Sequence, residues 1–453
     1  MSKPTLTVVA KQGKGRKAAI EDGWKGLMNR NRENRPEGSL HNLLLILEND
    51  VALSGLFYLD ESSNQVVLTR EPPWKAGSVD EFTDTDACEL AAWLQHPNHY
   101  GMPVSDKAVL SAVITVARRH RRHPIREYLQ GLVWDGQPRV EAMFSTLFGV
   151  VDTPYARQAA ICFAVGAVAR VLWVDPRQPM VGAKVDFMLV LEGKQGKKKT
   201  TGLQTLFSPK WYVETLESPS GTDFYQILRG KWGVEIAEMD SFAKADITAV
   251  KAAITRLTDT YRAPYERVPR SYRRECVLVG TTNESEYLRD ATGGRRFLPV
   301  RVDDGGDVNL QAILDSRDQL WAEAVQLFNQ GVQWWVLPDG IEEEQEQRYQ
   351  EDSWEGLIAM WLAMKVVGDG RYPPRLGGAT VVVDWTTTSE VLQYAIGVDT
   401  ARHDRQAQMR VAHAMKRLGW VHKRNFYDGR DKPQTRRWVR VSAAKGGIGD
   451  CPF

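Results

Sequence analysis

The chain has 453 residues, 43 % of them hydrophobic, and a formal net charge of +2. That length provides for two or three domains with ample core, and the near-neutral balance excludes a global electrostatic field, so any nucleic-acid site is a local basic patch. The four cysteines (Cys88, Cys162, Cys276, Cys451) are scattered without a C-x-x-C pair, which argues against a zinc ribbon or a disulfide framework and fits a reducing cytoplasm.

Residues 1–37 are polar and basic and predict a flexible leader. Residues 38–150 predict a mixed, mainly helical domain, with an apolar helical run from Asn42 and a small hairpin around Ser62–Asn64. Helices are expected over 85–95 and 105–122, the second ending in Arg118, Arg119, His120, Arg121 and Arg122. That cluster reads either as a solvated helix end or as a DNA or subunit contact. Residues 161–174 are apolar but interrupted by Arg170 and too short for a bilayer, so a core helix is expected and no membrane partner.

Within an expected core of 151–345, residues 150–180 read as helical and short apolar strands alternate with polar or helical segments over 185–302, the pattern of an α/β nucleotide-binding core; helical runs follow over 317–330 and 343–364. Residues 189–205 resemble the phosphate-binding template G-x-x-x-x-G-K-[ST] between a buried strand and a helix. Gly193 opens the loop, Lys199 occupies the phosphate-lysine position and Thr200 the magnesium-hydroxyl position, while Lys198 stands where the template has its second glycine. Backbone N–H groups and a helix N-terminus hold a triphosphate, so Gly193, Gln195, Gly196, Lys197, Lys198, Lys199, Thr200 and Thr201 are the candidate cofactor-binding residues. Lys198 is strained if its φ is positive and tolerated if it is negative. The alternative for this segment is a basic surface turn after a core strand.

Downstream, the strand 232–237 carries Glu235 and is followed by Glu238 and Asp240. An NTPase places one acid in the magnesium shell and one on the attacking water. Glu235 and Glu238 are the candidates, Asp240 a third; two exposed acids on an edge strand are the alternative. The strand 276–280 ends in Thr281-Thr282-Asn283, and Asn283 suits a water-orienting or γ-phosphate sensor, or else an ordinary capped turn. Arg295 and Arg296, in a glycine-flanked turn, suit a phosphate sensor or an arginine finger. Residues 346–453 predict a helical linker, marked by Pro373–Pro374, and a terminal winged helix: helices over 386–394 and 406–418, then a hairpin. Arg410, Lys416 and Arg417 on the second helix, with Lys423, Arg424, Arg436 and Arg437 on the hairpin, fit major-groove docking with phosphate contacts; a protein-binding winged helix is the alternative.

The order of loop, acidic strand, Asn-tipped strand and arginine turn makes a resemblance specific. Arg229-Gly230-Lys231-Trp232, Glu238-Met239-Asp240, Tyr261-Arg262-Ala263-Pro264-Tyr265, Gly280-Thr281-Thr282-Asn283, Tyr287-Leu288-Arg289-Asp290 and Gly294-Arg295-Arg296-Phe297 resemble the virulence-associated E family, phage- and prophage-encoded P-loop proteins similar to superfamily-3 helicases. The likeness runs over roughly residues 40–340. It implies an α/β fold with a P-loop NTPase core of superfamily-3 helicase type. It implies an ATP-dependent DNA helicase or translocase acting in replication as a ring, most simply a hexamer, in the bacterial host cytoplasm, with ATP and Mg²⁺ as cofactors. Thr200, Glu235 and Glu238 would serve the metal, and Arg295 or Arg296 would complete the pocket from a neighbour. Such helicases place a channel hairpin gripping single-stranded DNA within 261–274, which makes Arg262, Arg267, Arg270, Arg273 and Arg274 candidates; a subunit contact or solvated loop is the alternative. The family's loop carries glycine at the Lys198 position, so the second functional reading is a DNA-binding replication initiator, scaffold or interference protein with a degenerate nucleotide site. Without a primase-like segment or zinc ribbon ahead of the core, the chain reads as the motor part alone.

Overall fold

A computed structural model of the chain describes residues 23–75, 79, 81–215, 222–237, 244–261, 268–288, 296–302, 306–348, 353–364, 385–426 and 435–440. The chain divides into two compact units, one of residues 1–284 with 296–341, the other of 285–295 with 342–453.

In the first unit, α1 (Leu40–Asn49), α2 (Asp84–Gln95) and α3 (Asp106–Arg119) pack around a hairpin of β1 (Phe57–Asp60) and β2 (Gln65–Leu68). Each helix begins at a side-chain cap (Ser39, Thr83, Ser105), and Thr83 with Asp86 forms a capping box. Residues 23–37, expected within the flexible leader, fold back on α1: the Asn42 amide donates to the carbonyls of Asn29 and Glu37. The helix expected to run to Arg122 stops at Arg119, and β3 (Arg121–Arg122) pairs in parallel with β1. Its basic cluster is largely spent at home, with Arg119 on Glu48, Arg121 near Glu61 and Arg122 on Glu127.

The core of this unit follows α4 (Pro124–Gly131), α5 (Met143–Phe148) and α6 (Pro154–Leu172). Helix α6 starts at Thr153 with Pro154 in its first turn and is rich in alanine, so it approaches the sheet closely. It is long and apolar enough to cross a membrane, and 72 % of that stretch is buried in protein, as a core helix requires. Arg170 does not break it. Its guanidinium is buried and donates to the carbonyls of Val185, Ile254 and Arg256.

A parallel five-stranded sheet carries the rest. Its order is β10 (Phe297–Arg301), β4 (Met188–Glu192), β9 (Val277–Thr282), β6 (Gly233–Ile236), β5 (Tyr212–Thr215). Between these strands lie α7 (Lys199–Phe207), α8 (Thr222–Ile227), α9 (Lys244–Ile254) and an antiparallel ribbon of β7 (Thr258–Tyr261) and β8 (Arg270–Arg273); α10 (Leu310–Asn329) follows β10. Strand β4 is buried throughout, as a central parallel strand must be. The Trp232 and Trp321 rings meet at a 44° tilt with centroids 4.3 Å apart, and donate their indole N–H groups to the Ala167 and Leu206 carbonyls. A Cβ on Gly202 would meet Val308 at 2.7 Å, so glycine lets α7 lie this deep. Helix α10 begins at Leu310, capped by the Asn309 side chain, ahead of the expected run over 317–330.

The second unit contains α11 (Ile341–Gln347), α12 (Ser353–Met364), β11 (Trp385–Thr386), a short α13 (Thr388–Glu390) that continues as a π-helical turn to Ile396, α14 (Arg405–Arg417), β12 (Trp420–Phe426) and β13 (Thr435–Arg440). The sheet order is β11–β13–β12, all antiparallel. Ile358, Trp361, Val391, Leu392, Val411, Ala414, Met415, Trp420 and Trp438 form its core. The helical run expected over 343–364 is two helices, and the expected linker at Pro373–Pro374 lies outside the described residues.

Candidate functional site

The loop leaving β4 turns at Gly193 (φ +145°) and Gly196 (φ +86°) and enters α7 through Lys198, whose φ of +59° is left-handed. The template's glycine position therefore does demand positive φ here, and lysine occupies it at a strain of about 1–2 kcal/mol. One residue on, the Lys199 side chain is 93 % buried from solvent, its ammonium donating to the carbonyls of Gly193 and Lys194 (3.1 Å) and to Asn283 Oδ1 (3.1 Å). A strand-tip asparagine 84 residues away thus meets the loop lysine.

Strand β6 lies two places from β4, and its Glu235 side chain is fully buried. Glu235 Oε1 accepts hydrogen bonds from Thr200 Oγ1 (2.9 Å) and Thr281 Oγ1, and Oε2 accepts from the Tyr212 hydroxyl. Three strands and the first turn of α7 thereby fix one carboxylate directly beside the loop hydroxyl. Burial, with the adjacent Glu235 charge, pushes the Tyr212 phenol far above its ordinary range, so it stays a donor. A cleft of about 400 Å³ opens over this cluster, lined by Gln195 to Thr201, Glu214, Ala237, Thr281, Thr282 and Asn283. Lys197 reaches across to Asp307 at 2.7 Å. Tyr212, Thr281 and Glu214 were not foreseen as site residues. Thr281 sat beside Asn283 in the strand-tip motif, whereas Tyr212 and Glu214 carry no local signal and reach the cleft only because β5 pairs with β6. Among the described residues, no group of three or more His, Cys, Asp or Glu side chains could hold a metal.

Glu238, Arg295, Arg262 and Arg267 lie outside the described residues, as does the side chain of Arg424. Arg296 immediately precedes β10, whose Phe297 pairs with Met188 at the start of β4. It stands at the sheet edge opposite the loop, about 16 Å away along the strands. At that same edge the ribbon's basic residues divide. Arg270 is exposed. Arg274, 1 % exposed, makes a two-pronged contact with buried Asp259 and donates to Ala253 O; Arg273 donates to Val171 O, Trp173 O and Glu275. Arg273 and Arg274 are thus corrected from DNA candidates to anchors of the ribbon root.

Residues 129–354 match the family model of the virulence-associated protein E-like domain. The chain carries a virulence-associated protein E-like domain. That domain contains the loop, the Glu235 cluster, Asn283 and the ribbon. A search of curated proteins found no match. Among solved structures, the chain is similar to the apo structure of the NrS-1 C-terminal region at 13 % identity and TM-score 0.41, covering 68 % of this chain and 74 % of that one. It is also similar to the A form of that region at 10 % identity and TM-score 0.43, covering 85 % and 96 %. The assignment to a parallel α/β core stands on the strand order.

In the second unit, Arg410 lies over the Trp354 ring at 3.9 Å and donates to Ser353, and Arg417 pairs with buried Glu355 at 3.1 Å. Arg437 stacks on Trp385 at 3.5 Å, Lys423 is half-buried, and Lys416 and Arg436 are exposed.

Proposed function

We propose that this protein is an ATP-dependent DNA translocase or helicase of a phage or mobile element, acting as a ring in replication. One observation carries the reading: Lys199 and Thr200 open a buried helix while Asn283 and Glu235, from the next two strands of a parallel sheet, meet those two side chains. That juxtaposition is what a phosphate-binding loop with an interposed sensor strand requires. The Lys199 ammonium, now held by carbonyl and amide oxygens, would exchange them for the outer phosphates of ATP. Backbone N–H groups of 196–201 would take the remaining phosphate oxygens. Thr200 Oγ1 and Glu235 Oε1, 2.9 Å apart, would hold Mg²⁺, which neutralises charge on the transferred phosphoryl group. A site with one protein hydroxyl, one carboxylate and phosphate oxygens needs no larger acid cluster. Glu238 would accept a proton from the attacking water and Asn283 would orient that water.

Arg296 cannot serve the Lys199 pocket of its own chain from the opposite sheet edge. It would serve a neighbour's, which supports a ring closed by a repeated head-to-tail contact; a hexamer is the expected size. Arg270, with Arg262 and Arg267, would grip single-stranded DNA. The helix–strand–helix–helix–hairpin order of the second unit, with sheet order β11–β13–β12, supports a winged helix for duplex DNA. The deciding experiment is ATP turnover with and without single-stranded DNA, alongside particle mass with nucleotide. DNA-stimulated turnover that disappears in Lys199→Ala supports the motor; no turnover in either protein sinks it. The second reading, a DNA-binding initiator or scaffold with a weak nucleotide site, draws on the left-handed Lys198. Under it, nucleotide binds without turnover and Lys198→Gly changes neither.

A further inference from the structure

We infer that α14 reads duplex DNA through the stripe Arg405, Met409, Ala412 and Lys416, with thymine methyl groups as the bases' contribution, and not through Arg410 and Arg417. This rests on the winged-helix reading and names which face of that unit meets DNA.

The buried face of α14 is Val411, Ala414 and Met415. Arg410 and Arg417 flank it, and both are drawn onto α12, one over Trp354 and Ser353, the other onto Glu355. Glu355 is 7 % exposed, so Arg417 neutralises a buried carboxylate that would be costly to leave unpaired. Neither guanidinium can leave for a phosphate without uncovering α12.

The opposite face repeats at intervals of four, three and four residues, which is one stripe of an α-helix. Arg405, Met409 and Lys416 are exposed, while Ala412, half-buried between them, also packs against the unit's core. Met409 keeps 54 % of its surface in water, an apolar side chain between two cations. That order suits a major groove, whose floor offers thymine methyls and whose borders are phosphate backbones. Arg405 and Lys416 stand about 16 Å apart along the axis, one on either side of Met409, so with the helix lying in the groove the cations reach phosphates while Met409 faces the floor. Gln408, also exposed, borders the stripe beside Met409. Arg436, exposed on β13, extends the positive surface onto the hairpin.

The test uses the full chain and a 24-base-pair A·T-rich duplex, with a second duplex in which uracil replaces thymine. Lys416→Gln and Arg417→Gln remove the same charge from neighbouring positions. Lys416→Gln should weaken duplex binding at least threefold and Arg405→Gln/Lys416→Gln tenfold or more. Arg417→Gln should bind within twofold of the unaltered chain while melting at lower temperature. The unaltered chain should bind the uracil duplex several-fold more weakly, and Met409→Ala should lose that discrimination. Tight duplex binding indifferent to Arg405→Gln/Lys416→Gln, or lost equally in a folded Arg417→Gln, would overturn the stripe and leave the winged-helix reading intact. Equal affinity of the unaltered chain for both duplexes would overturn the thymine contact. No duplex binding by the unaltered chain would overturn the winged-helix reading, and the stripe with it.

Discussion

The two edges of the parallel sheet use cationic side chains in opposite ways. At the edge where strands end, Lys199 is buried yet faces a cleft, held by two carbonyls and one amide oxygen that carry no charge. At the edge where strands begin, Arg274 is buried against a carboxylate and a carbonyl, and Arg170 and Arg273 are spent on backbone oxygens and Glu275. A cation that faces a cleft and is held there by carbonyl and amide dipoles can turn toward an anionic ligand. A cation met by a carboxylate in the interior has already formed its ion pair and holds the structure together.

The largest effect that tells the edges apart is on stability. Arg274→Ala leaves Asp259 buried and unpaired and should cost about 3–5 kcal/mol, seen as a large fall in melting temperature and a loosened β7–β8 ribbon by hydrogen exchange. A melt within 2 °C of the unaltered chain would show that the ribbon root is not anchored by this pair. Lys199→Ala should do the reverse, lowering ATP turnover by about 10²–10³ with little change in melting. A mutant that unfolds instead would put Lys199 among the anchors.

Glu235→Gln keeps the shape of the cluster but removes the charge. It should abolish the Mg²⁺ dependence of nucleotide binding while thermal melting moves by only a few degrees; unchanged Mg²⁺ dependence, followed by titration, would remove Glu235 from the metal site. Smaller still is Lys198→Gly. Glycine relieves the left-handed strain but adds freedom to the unfolded chain, for a net gain of about 0.5–1 kcal/mol, or roughly 1–4 °C in Tm. Turnover should rise as the loop closes on phosphates with less strain. A drop in Tm would contradict the left-handed geometry.

The smallest effect is with pH. Burial pulls the Glu275 carboxyl upward, but the hydrogen bond and charge of His123 and the Arg273 guanidinium outweigh it and leave it below its ordinary value of 4.5. Because the folded state holds that proton less tightly than the unfolded chain, the stabilisation is complete above pH 4.5 and is lost as pH falls below it. Glu275→Gln should flatten that part of an acid-melting profile.

The loop was legible because its geometry is local: two glycine turns, one lysine and one hydroxyl fit within eight residues, Gly193 to Thr200. Even its flaw was legible as a missing glycine, although the sign of φ at Lys198 was not. The hairpin at Ser62–Asn64 was visible for the same reason, since turn chemistry is written in adjacent residues. Tyr212 and Glu214 escaped notice because nothing near them in the chain announces a site. They join it only because β5 pairs with β6.

The arginines show the same division most plainly. Arg270, Arg273 and Arg274 share one short basic run, and Arg410, Lys416 and Arg417 share one helix, so composition treats the members of each set alike. Periodicity and local chemistry were enough to establish an alternating α/β core, a helix-plus-hairpin terminus and the position of the loop. Which strand neighbours which, whether Glu235 reaches Thr200, and whether a given guanidinium meets solvent or a buried carboxylate were settled by packing. Those properties depend on groups tens to hundreds of residues apart, and the cost of burying a charge is known only once the surrounding oxygens are in place.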